Sequence, residues 1–342
     1  MTENRLAPIS ELEVATLSRY IGLDVGGTNI VGGLLNERCE PIRTTRCATE
    51  ADRGPAHVLN RIETVINEMR AAAGSHRVEA VGIGIPGFVD PEAGLSVFAG
   101  NLGWHNVPLG AEMARRTGLP VFIDNDVRMY IYGEAMRGAG EGFGHVLGVT
   151  VGTGLAAAVV NEGRLYYGGA QMAGELGHIP LPGIDYACPC GLTGCAERIV
   201  SATGIARQAA DALQAGESSI LSERFSPENG AKPTAADVAA AYDAGDALAI
   251  RIFERTGDYL GLALAYAVTL FSPDIVIVGG GVAQAGERLL APARRRLQQS
   301  VYRGYWERLT IRTAFLGEHA GLIGSALMAS KQLMKSQQSG GM

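Results

Sequence analysis

Four residues of the types that bind metal ions lie close together near the middle of the chain. In the spacing H-x9-C-x-C-x4-C they are His178, Cys188, Cys190 and Cys195. Thiolates and a neutral imidazole form a closed tetrahedral ligand set for Zn²⁺, and Gly191 and Gly194 allow the tight turns that such a loop needs. Because four protein ligands leave no open coordination position, we predict a structural zinc ion. The alternative is that three thiols and a core histidine lie together by chance.

Two Gly-rich turns each follow an apolar, β-rich run, with the sequences DVGGTN at 24–29 and VGTG at 151–154. Glycines let backbone N–H groups approach a phosphate, Thr28 can donate a hydrogen bond, and Asp24 can hold Mg²⁺ through water. No Lys follows the glycines, so neither turn is a Walker A loop. One such turn alone is typical of an ordinary hairpin. Two at equivalent places, with a third Gly-rich segment at 279–281, favour a phosphate and nucleotide site.

Carboxylates near these features are candidate acid–base and hydroxyl-binding groups. The triplet Asp124-Asn125-Asp126 follows the apolar run VFI, and α/β proteins usually bind ligands at the carboxyl ends of strands. A carboxylate there can accept the proton of a hydroxyl nucleophile, with Asn125 holding a neighbouring hydroxyl; the alternative is a turn or a helix cap. Glu175 and Glu197 flank the predicted zinc loop, where each either accepts from sugar hydroxyls or is a solvated charge.

Strands that alternate with helices must position these groups. Hairpins are predicted at 20–35 and 146–160, a separation that fits a duplicated domain. Further strands are predicted at 80–85, 121–123 and 275–278, a surface loop at 218–234, and helices at 56–73, 109–117, 235–242, 247–271 and 321–334.

This alternation predicts two α/β domains with a cleft between them. The predicted divisions are an N-terminal extension 1–19, a smaller domain 20–140 with the first phosphate turn and the DND triplet, a larger domain 141–330 with the second turn and the zinc loop, and a polar tail 331–342, in which residues 335–342 are expected to be disordered. The Gly-rich segment 134–144 is the predicted crossover between the domains.

The composition excludes several classes of function. The 342 residues carry a net charge of −6, and 47% are hydrophobic, which fills a sizeable core and excludes general disorder. The acidic balance argues against binding to nucleic acid or an anionic membrane. The longest apolar run, 262–271, is too short to span a bilayer, and the start lacks the apolar region of a signal peptide. Five cysteines, three of them clustered, fit a metal site in a reducing compartment, so we expect a cytoplasmic protein.

The motifs occur in the order found in a known family. DVGGTN (24–29), GIPGFVD (84–90), NLGW (101–104), DND (124–126), VGTG (151–154), GELGH (174–178) and CPCGLTGC (188–195) resemble the motifs of the ROK (repressor, open reading frame, kinase) sugar kinases. The likeness covers about residues 20–330. It implies the hexokinase/actin-like (ASKHA) α/β fold of two RNase-H-like domains with an interdomain cleft, the use of ATP with Mg²⁺, and phosphorylation of a hexose.

The resemblance also implies roles for individual residues. Asp126 matches the general base, which accepts the proton of the sugar's 6-hydroxyl as that hydroxyl attacks the γ-phosphate. The sugar-binding positions are matched by Gly87, Asn101, Asn125, Asp126, Glu175, His178 and Glu197. His178 would bind zinc through one ring nitrogen and a sugar hydroxyl through the other. The phosphate and adenosine positions are matched by Asp24, Gly26, Gly27, Thr28, Asn29, Gly152, Thr153, Gly154 and Gly280.

The sequence departs from the family directly after the DND motif. Residues 127–130 read VRMY, where small residues are common in the family. These larger side chains either reshape the sugar pocket or pack the following helix.

D-Glucose is the expected substrate, because NLGW followed by N-x-P-L at 106–109 resembles the glucose-phosphorylating branch of the family. The alternatives are N-acetylglucosamine, N-acetylmannosamine or another hexose and, in a different class, a sugar-sensing protein without catalysis or a repressor. Only 23 residues precede Asp24, so we expect no helix-turn-helix domain. The resemblance suggests a homodimer, and it leaves open a phosphoryl donor other than ATP, such as polyphosphate.

Overall fold

The structure, a computed structural model, describes residues 18–225 and 230–339. Contacts among these residues divide the chain into two compact units. The first unit contains the described residues up to Asp124 and those from Ser325 onwards, and the second runs from Asn125 to Gly324. The carboxyl end of the chain therefore returns to complete the first unit.

The first unit contains two sheets and two helices before the second unit begins. Their bounds are β1 Arg19–Val25, β2 Asn29–Leu35, β3 Pro41–Ala48, α1 Pro55–Ala72, β4 Val78–Ile85, β5 Phe88–Asp90, β6 Leu95–Ala99, β7 Trp104–Val107, α2 Leu109–Thr117 and β8 Val121–Asn125. The main sheet has the order β3-β2-β1-β4-β8, with β1 antiparallel to β2 and parallel to β4. The small antiparallel sheet β5-β6-β7 follows β4, and its strand β7 begins with the fully buried Trp104, which belongs to the core of this unit.

The second unit repeats this strand order. Its elements are α3 Asp126–Arg137, β9 His145–Val151, β10 Leu155–Asn161, β11 Arg164–Leu165, α4 Ala202–Gln214, α5 Ala235–Asp243, α6 Ala247–Phe271, β12 Ile275–Gly279, α7 Glu287–Ser300, α8 Arg303–Trp306 and β13 Thr310–Thr313, followed by α9 Ala320–Ser339, which ends in the first unit. The sheet order is β11-β10-β9-β12-β13, with β9 antiparallel to β10 and parallel to β12. Each Gly-rich turn thus joins the first two strands of its sheet.

Glycines on α6 let α7 approach closely. A Cβ at Gly257 would lie 2.4 Å from Pro292 Cγ, and one at Gly261 would lie 2.4 Å from the Ala293 carbonyl oxygen. Helices with small residues at the contact pack at short distances.

Among the described residues, no helix is long and apolar enough to cross a membrane.

Most of the predicted elements are confirmed. The hairpins at 20–35 and 146–160 are β1–β2 and β9–β10, and the helices predicted at 109–117 and 247–271 coincide with α2 and α6. The predicted surface loop at 218–234 contains a short 3₁₀ turn, Ile220–Glu223, and its residues 226–229 lie outside the described residues.

Two expectations were wrong. The crossover predicted at 134–144 begins inside α3, which continues to Arg137 because it packs on β9 and β10. The segment predicted to be disordered from Lys335 is helical to Ser339, since its Lys and Gln residues are good helix formers. Residues 1–17 of the predicted extension and 340–342 of the tail lie outside the described residues.

The structural units divide at 124–125, whereas the predicted domains divide at 140–141. Helix α3 accounts for the difference, because it packs on the second sheet. The roles assigned to the two domains stay predictions.

Candidate functional site

The four predicted metal ligands converge in the second unit. Their ligand atoms all lie within 4.8 Å of one another. His178 Nδ1 lies 3.7 Å from Cys188 Sγ, and Cys190 Sγ lies 3.5 Å from Cys195 Sγ. These separations are close to the edge of about 3.6–3.8 Å of a tetrahedron with Zn–S near 2.3 Å and Zn–N near 2.0 Å. The donor set and its spacing fit a zinc ion.

Backbone turns bring the cysteines to one point. The Cys188 N–H donates to the Leu192 carbonyl at 2.7 Å and closes the turn that carries Cys190. Gly191 and Gly194 have φ angles of 96° and 89°, which are left-handed conformations that favour glycine. The tight turns predicted at these glycines are confirmed.

The electrostatics of the thiols fit a cation. Burial and the neighbouring thiols raise the pKa of the Cys195 thiol to about 12, whereas the Leu192 N–H lowers the pKa of the exposed Cys190. Three crowded thiols, two of them buried, are costly to ionise without a positive charge among them. A metal ion supplies that charge, because its binding displaces the thiol protons.

The second nitrogen of His178 is available to another partner. While Nδ1 lies beside the cysteines, Nε2 lies 3.8 Å from Glu175 Oε2. The two side chains are 37% and 46% exposed, so a ligand can reach them. The structure thus brings the imidazole and a carboxylate together next to the metal cluster.

The second Gly-rich turn abuts the start of α4. The Gly152 N–H donates to the Gly154 carbonyl at 2.9 Å, and the Ala202 N–H donates to the Gly152 carbonyl at 2.8 Å. The Thr203 hydroxyl donates to the Thr153 carbonyl at 3.1 Å. The amino end of a helix carries a partial positive charge, so this turn is a favourable place for an anion.

Glu197 lies against the same turn. Its Oε2 accepts from the Leu155 N–H at 2.9 Å, and a Cβ at Gly154 would lie only 2.3 Å from that oxygen. Glu197 also stands two residues after Cys195 in a short 3₁₀ turn. The carboxylate therefore connects the zinc loop to the second turn.

Gly280 brings the end of β12 against the second turn. Its φ is 87°, and a Cβ there would lie 2.5 Å from the Val151 carbonyl oxygen, so only glycine fits. Beside it opens a cavity of about 520 Å³ within the second unit. It is lined by Tyr130, the glycines 279–281, Gln284, Thr313 and Glu318, among others. Its volume is within the range of small-molecule sites.

In the first unit, the Gly26–Gly27 turn is held by Thr49. The Thr49 hydroxyl donates to the Gly26 carbonyl at 2.7 Å, and its N–H donates to the Thr28 carbonyl at 2.8 Å. A Cβ at Gly27 would lie 3.0 Å from Asn101 Cβ. The turn and Asn101 are therefore neighbours, and their roles in binding stay predictions.

The other members of the first-unit set lie close by in the chain. Asp24 occupies β1 just before the turn, and the Asn29 carbonyl accepts from the Gly26 N–H at 2.8 Å. Gly87 has a φ of 86°, and a Cβ there would lie 2.1 Å from the Phe98 carbonyl oxygen. Glycine at this position lets the loop before β5 pass next to β6, which leads to Asn101.

Asn125 and Asp126 form the junction between β8 and α3. The Asn125 side chain caps the helix by accepting from the Arg128 N–H at 3.0 Å, and it donates to Asp126 Oδ1 at 3.1 Å. The Val127 N–H also donates to Oδ1, at 2.8 Å. The alternative of a helix cap thus holds for Asn125, whereas Asp126 is the first helical residue.

Burial raises the pKa of Asp126 to about 6, against an ordinary value of 3.8. Hydrogen bonds from backbone N–H groups and from Asn125, and the charge of Arg128, act in the opposite direction. A carboxylate with a pKa near neutrality suits proton transfer, because it is ionised at pH 7 and yet basic enough to accept a proton.

Glu134 is a residue that the sequence analysis missed. It is fully buried on α3, and its carboxylate accepts from the N–H groups of Ala139, Phe315 and Leu316 at 2.6–3.0 Å. These bonds fix the segment after β13, which walls the 520 Å³ cavity. No local sequence signal marks this role, because two of the partners lie far along the chain.

Comparison with known proteins agrees with this architecture. The ROK family model matches residues 20–332. A glucokinase of Halalkalibacterium halodurans is 34% identical over 318 residues, which cover 92% of this chain and 95% of that protein.

Two solved structures resemble the chain throughout. A ROK hexokinase from Thermus thermophilus matches with a TM-score of 0.78 and 32% identity, covering 93% of this chain and 99% of that one. A ROK family glucokinase from Streptomyces griseus, in complex with glucose and AMPPNP, matches with a TM-score of 0.76 and 32% identity, covering 92% and 99%. The predicted fold class, two RNase-H-like α/β units of the ASKHA fold, is confirmed. The chain belongs to the ROK family.

Proposed function

We propose that the protein transfers the γ-phosphoryl group of ATP to the 6-hydroxyl of a hexose, with D-glucose as the preferred hexose. The observation that carries this proposal is Asp126, a half-buried carboxylate at the start of α3 with a pKa raised to about 6. The glucokinase and the hexokinase among its relatives support the same activity.

Asp126 is the proposed general base. It accepts the proton of the attacking hydroxyl while Asn125, fixed by the helix cap, holds a neighbouring hydroxyl. Phosphoryl transfer depends mainly on alignment and charge stabilisation, so the base contributes about 10²–10⁴-fold and positioning supplies much of the rest.

In the second unit, His178 Nε2 and Glu175 are the proposed sugar-binding pair, with Glu197 Oε1 as a further acceptor. Zinc, held by His178 Nδ1 and the three thiolates, would supply a fixed orientation of the imidazole. Oε2 of Glu197 is already engaged with the Leu155 N–H, so the side chain is preorganised. Asn101 and Gly87 are the proposed sugar-site residues of the first unit.

The phosphates are assigned to the two Gly-rich turns. In the second unit, the backbone at Gly152–Gly154 and the amino end of α4 favour negative charge. In the first unit, Gly26, Gly27, Thr28 and Asn29 form the matching turn, and Asp24 is the carboxylate assigned to Mg²⁺. A bound Mg²⁺ neutralises charge on the phosphates. The cavity beside Gly280 is the proposed adenosine site.

The test is ADP release from Mg-ATP by zinc-replete protein with glucose, N-acetylglucosamine, N-acetylmannosamine, mannose, fructose and allose. We expect the highest kcat/KM with glucose. Preference for an N-acetyl sugar would agree with the proposed phosphoryl transfer but would show that glucose is not the preferred substrate. If no sugar is phosphorylated although one binds, the protein is a sensor and the catalytic proposal is wrong. Polyphosphate replaces ATP in a parallel series to test the donor, and light scattering tests the expected homodimer.

A further inference from the structure

The loop at 166–174 delivers Glu175 from the edge of the second sheet. Both of its ends are bonded to β10: the Tyr166 N–H donates to the Val159 carbonyl at 2.9 Å, and the Ala157 N–H donates to the Gly174 carbonyl at 2.8 Å. A Cβ at Gly174 would lie 2.1 Å from the Ala157 carbonyl oxygen. The loop is therefore anchored at its base, and it leads directly into Glu175.

The tip of this loop has an unfavourable backbone. Ala170 and Gln171 are consecutive non-glycine residues with φ angles of 50° and 62°. Such left-handed conformations are uncommon for residues with a Cβ, and they persist only where the surroundings hold them. Some contact outside the loop must supply that constraint.

Arg128 makes that contact. Its side chain lies on α3, two residues after Asp126, and only 6% of the residue is exposed. Nη1 donates to the Gln171 carbonyl at 3.0 Å, and the guanidinium lies 5.2 Å from the centre of the Tyr167 ring. One side chain thus holds the tip of the loop by a charge-assisted hydrogen bond and its first limb by a cation–π contact.

We infer that Arg128 is a positioning residue for the sugar: it ties the 166–174 loop, and with it Glu175, to the helix that begins with Asp126. This inference rests on the proposed function in assigning Glu175 to the sugar. Arg128 links two proposed sugar contacts through the helix. Lysine cannot replace it fully, because an ammonium lacks the planar group that lies on Tyr167 while it donates to Gln171.

The variants Arg128→Met, Arg128→Lys and Tyr167→Leu test the inference, with Arg137→Met, an exposed arginine at the other end of α3, as the matched control. We expect Arg128→Met to raise the KM for the sugar by about 10–100-fold, the range typical when the support of a ligand-holding group is lost. The KM for ATP stays unchanged and kcat falls much less than the sugar KM rises. Arg128→Lys and Tyr167→Leu are intermediate, and Arg137→Met resembles the wild type.

Hydrogen exchange supplies a second readout that needs no turnover. Amides of the 166–174 loop exchange faster in Arg128→Met than in the wild type, while those of β9 and β10 are unchanged. If loop amides exchange faster in Arg128→Met but the sugar KM is unaltered, Arg128 does not position the sugar. If the exchange of these amides is unaltered, Arg128 does not hold the loop. If the wild type phosphorylates no sugar, the proposed function fails, yet the exchange data still decide whether Arg128 holds the loop. Should Arg128→Met fail to fold, Arg128→Lys and Tyr167→Leu decide both points.

Discussion

The two Gly-rich turns have the same place in the same strand order, but different groups brace them. In the first unit, neutral groups do so: Thr49 holds the carbonyls of Gly26 and Thr28, and Asn101 packs on Gly27. In the second unit, the amino end of α4 and the carboxylate of Glu197 lie against the turn.

This difference shows how a repeated fold acquires distinct local chemistry. The hairpin determines the backbone path of each turn, whereas the groups that contact the turn determine its electrostatic environment. Because Glu197 stands two residues after Cys195, the second turn is adjacent to the candidate zinc site, whereas the first turn lies in the other unit. Perturbations of zinc should therefore act on one turn only.

Loss of the metal should have the largest effect. Chelation, or Cys190→Ser, removes the cross-link that holds His178 and the Glu197 segment, and we expect the second unit to lose several kcal/mol of stability. Hydrogen exchange should increase at 176–198, and kinase activity should fall. Cys47→Ser, in β3 of the first unit, is the control and should resemble the wild type. A zinc-free protein with full stability and activity would rule out the metal site.

Alanine at one glycine of each turn should separate them next. In Gly154→Ala, the new Cβ displaces Glu197 Oε2 from the Leu155 N–H, which costs about 1.5–3 kcal/mol for a charged hydrogen bond. In Gly27→Ala, the nearest atom is Asn101 Cβ at 3.0 Å, and a small shift should limit the cost to about 1 kcal/mol. Denaturant unfolding and the KM for ATP are measured for both variants. Equal losses of stability in the two variants would contradict the difference between the turns.

Asp126→Asn should change stability in the opposite direction. Since the pKa is about 6 in the folded state and ordinarily 3.8, folding favours the protonated form, and wild-type stability falls as pH rises from about 4 to about 6. Asparagine avoids this cost, and a shift of about two pKa units corresponds to a gain of at most about 3 kcal/mol above pH 6.5. The gain should vanish below about pH 4. Thermal unfolding across this range measures it, and a destabilised variant at pH 7 would contradict the assigned environment.

The parts of the site that could be predicted from sequence are those whose residues lie close together along the chain. The Gly-rich turns lie between apolar strands, and three cysteines with one histidine specify a metal loop by their chemistry alone. Helices α2 and α6 have the predicted bounds because their apolar periodicity starts and stops clearly. The small β5-β6-β7 sheet was not predicted, since strands of three to five residues leave little pattern.

The missing parts depend on contacts between distant segments. Glu134 looks like a solvated helix residue, yet its partners Phe315 and Leu316 come from beyond β13. Arg128 is similar, because the carbonyl of Gln171 becomes its partner only once the second unit has folded. A buried charged side chain meets its hydrogen-bond partners only in the folded structure. The sequence around that residue does not show which residues the partners are.

The most direct test of the account is the pH dependence of kcat/KM for glucose, measured in wild-type protein and in Asp126→Asn. We predict that wild-type kcat/KM declines below an apparent pKa of about 6, because protonation removes the base. The variant should lose about 10²–10⁴-fold in kcat and show no such decline, while glucose binding survives. Wild-type turnover in Asp126→Asn, or the same acidic decline in both proteins, would contradict the assignment of Asp126 as the base.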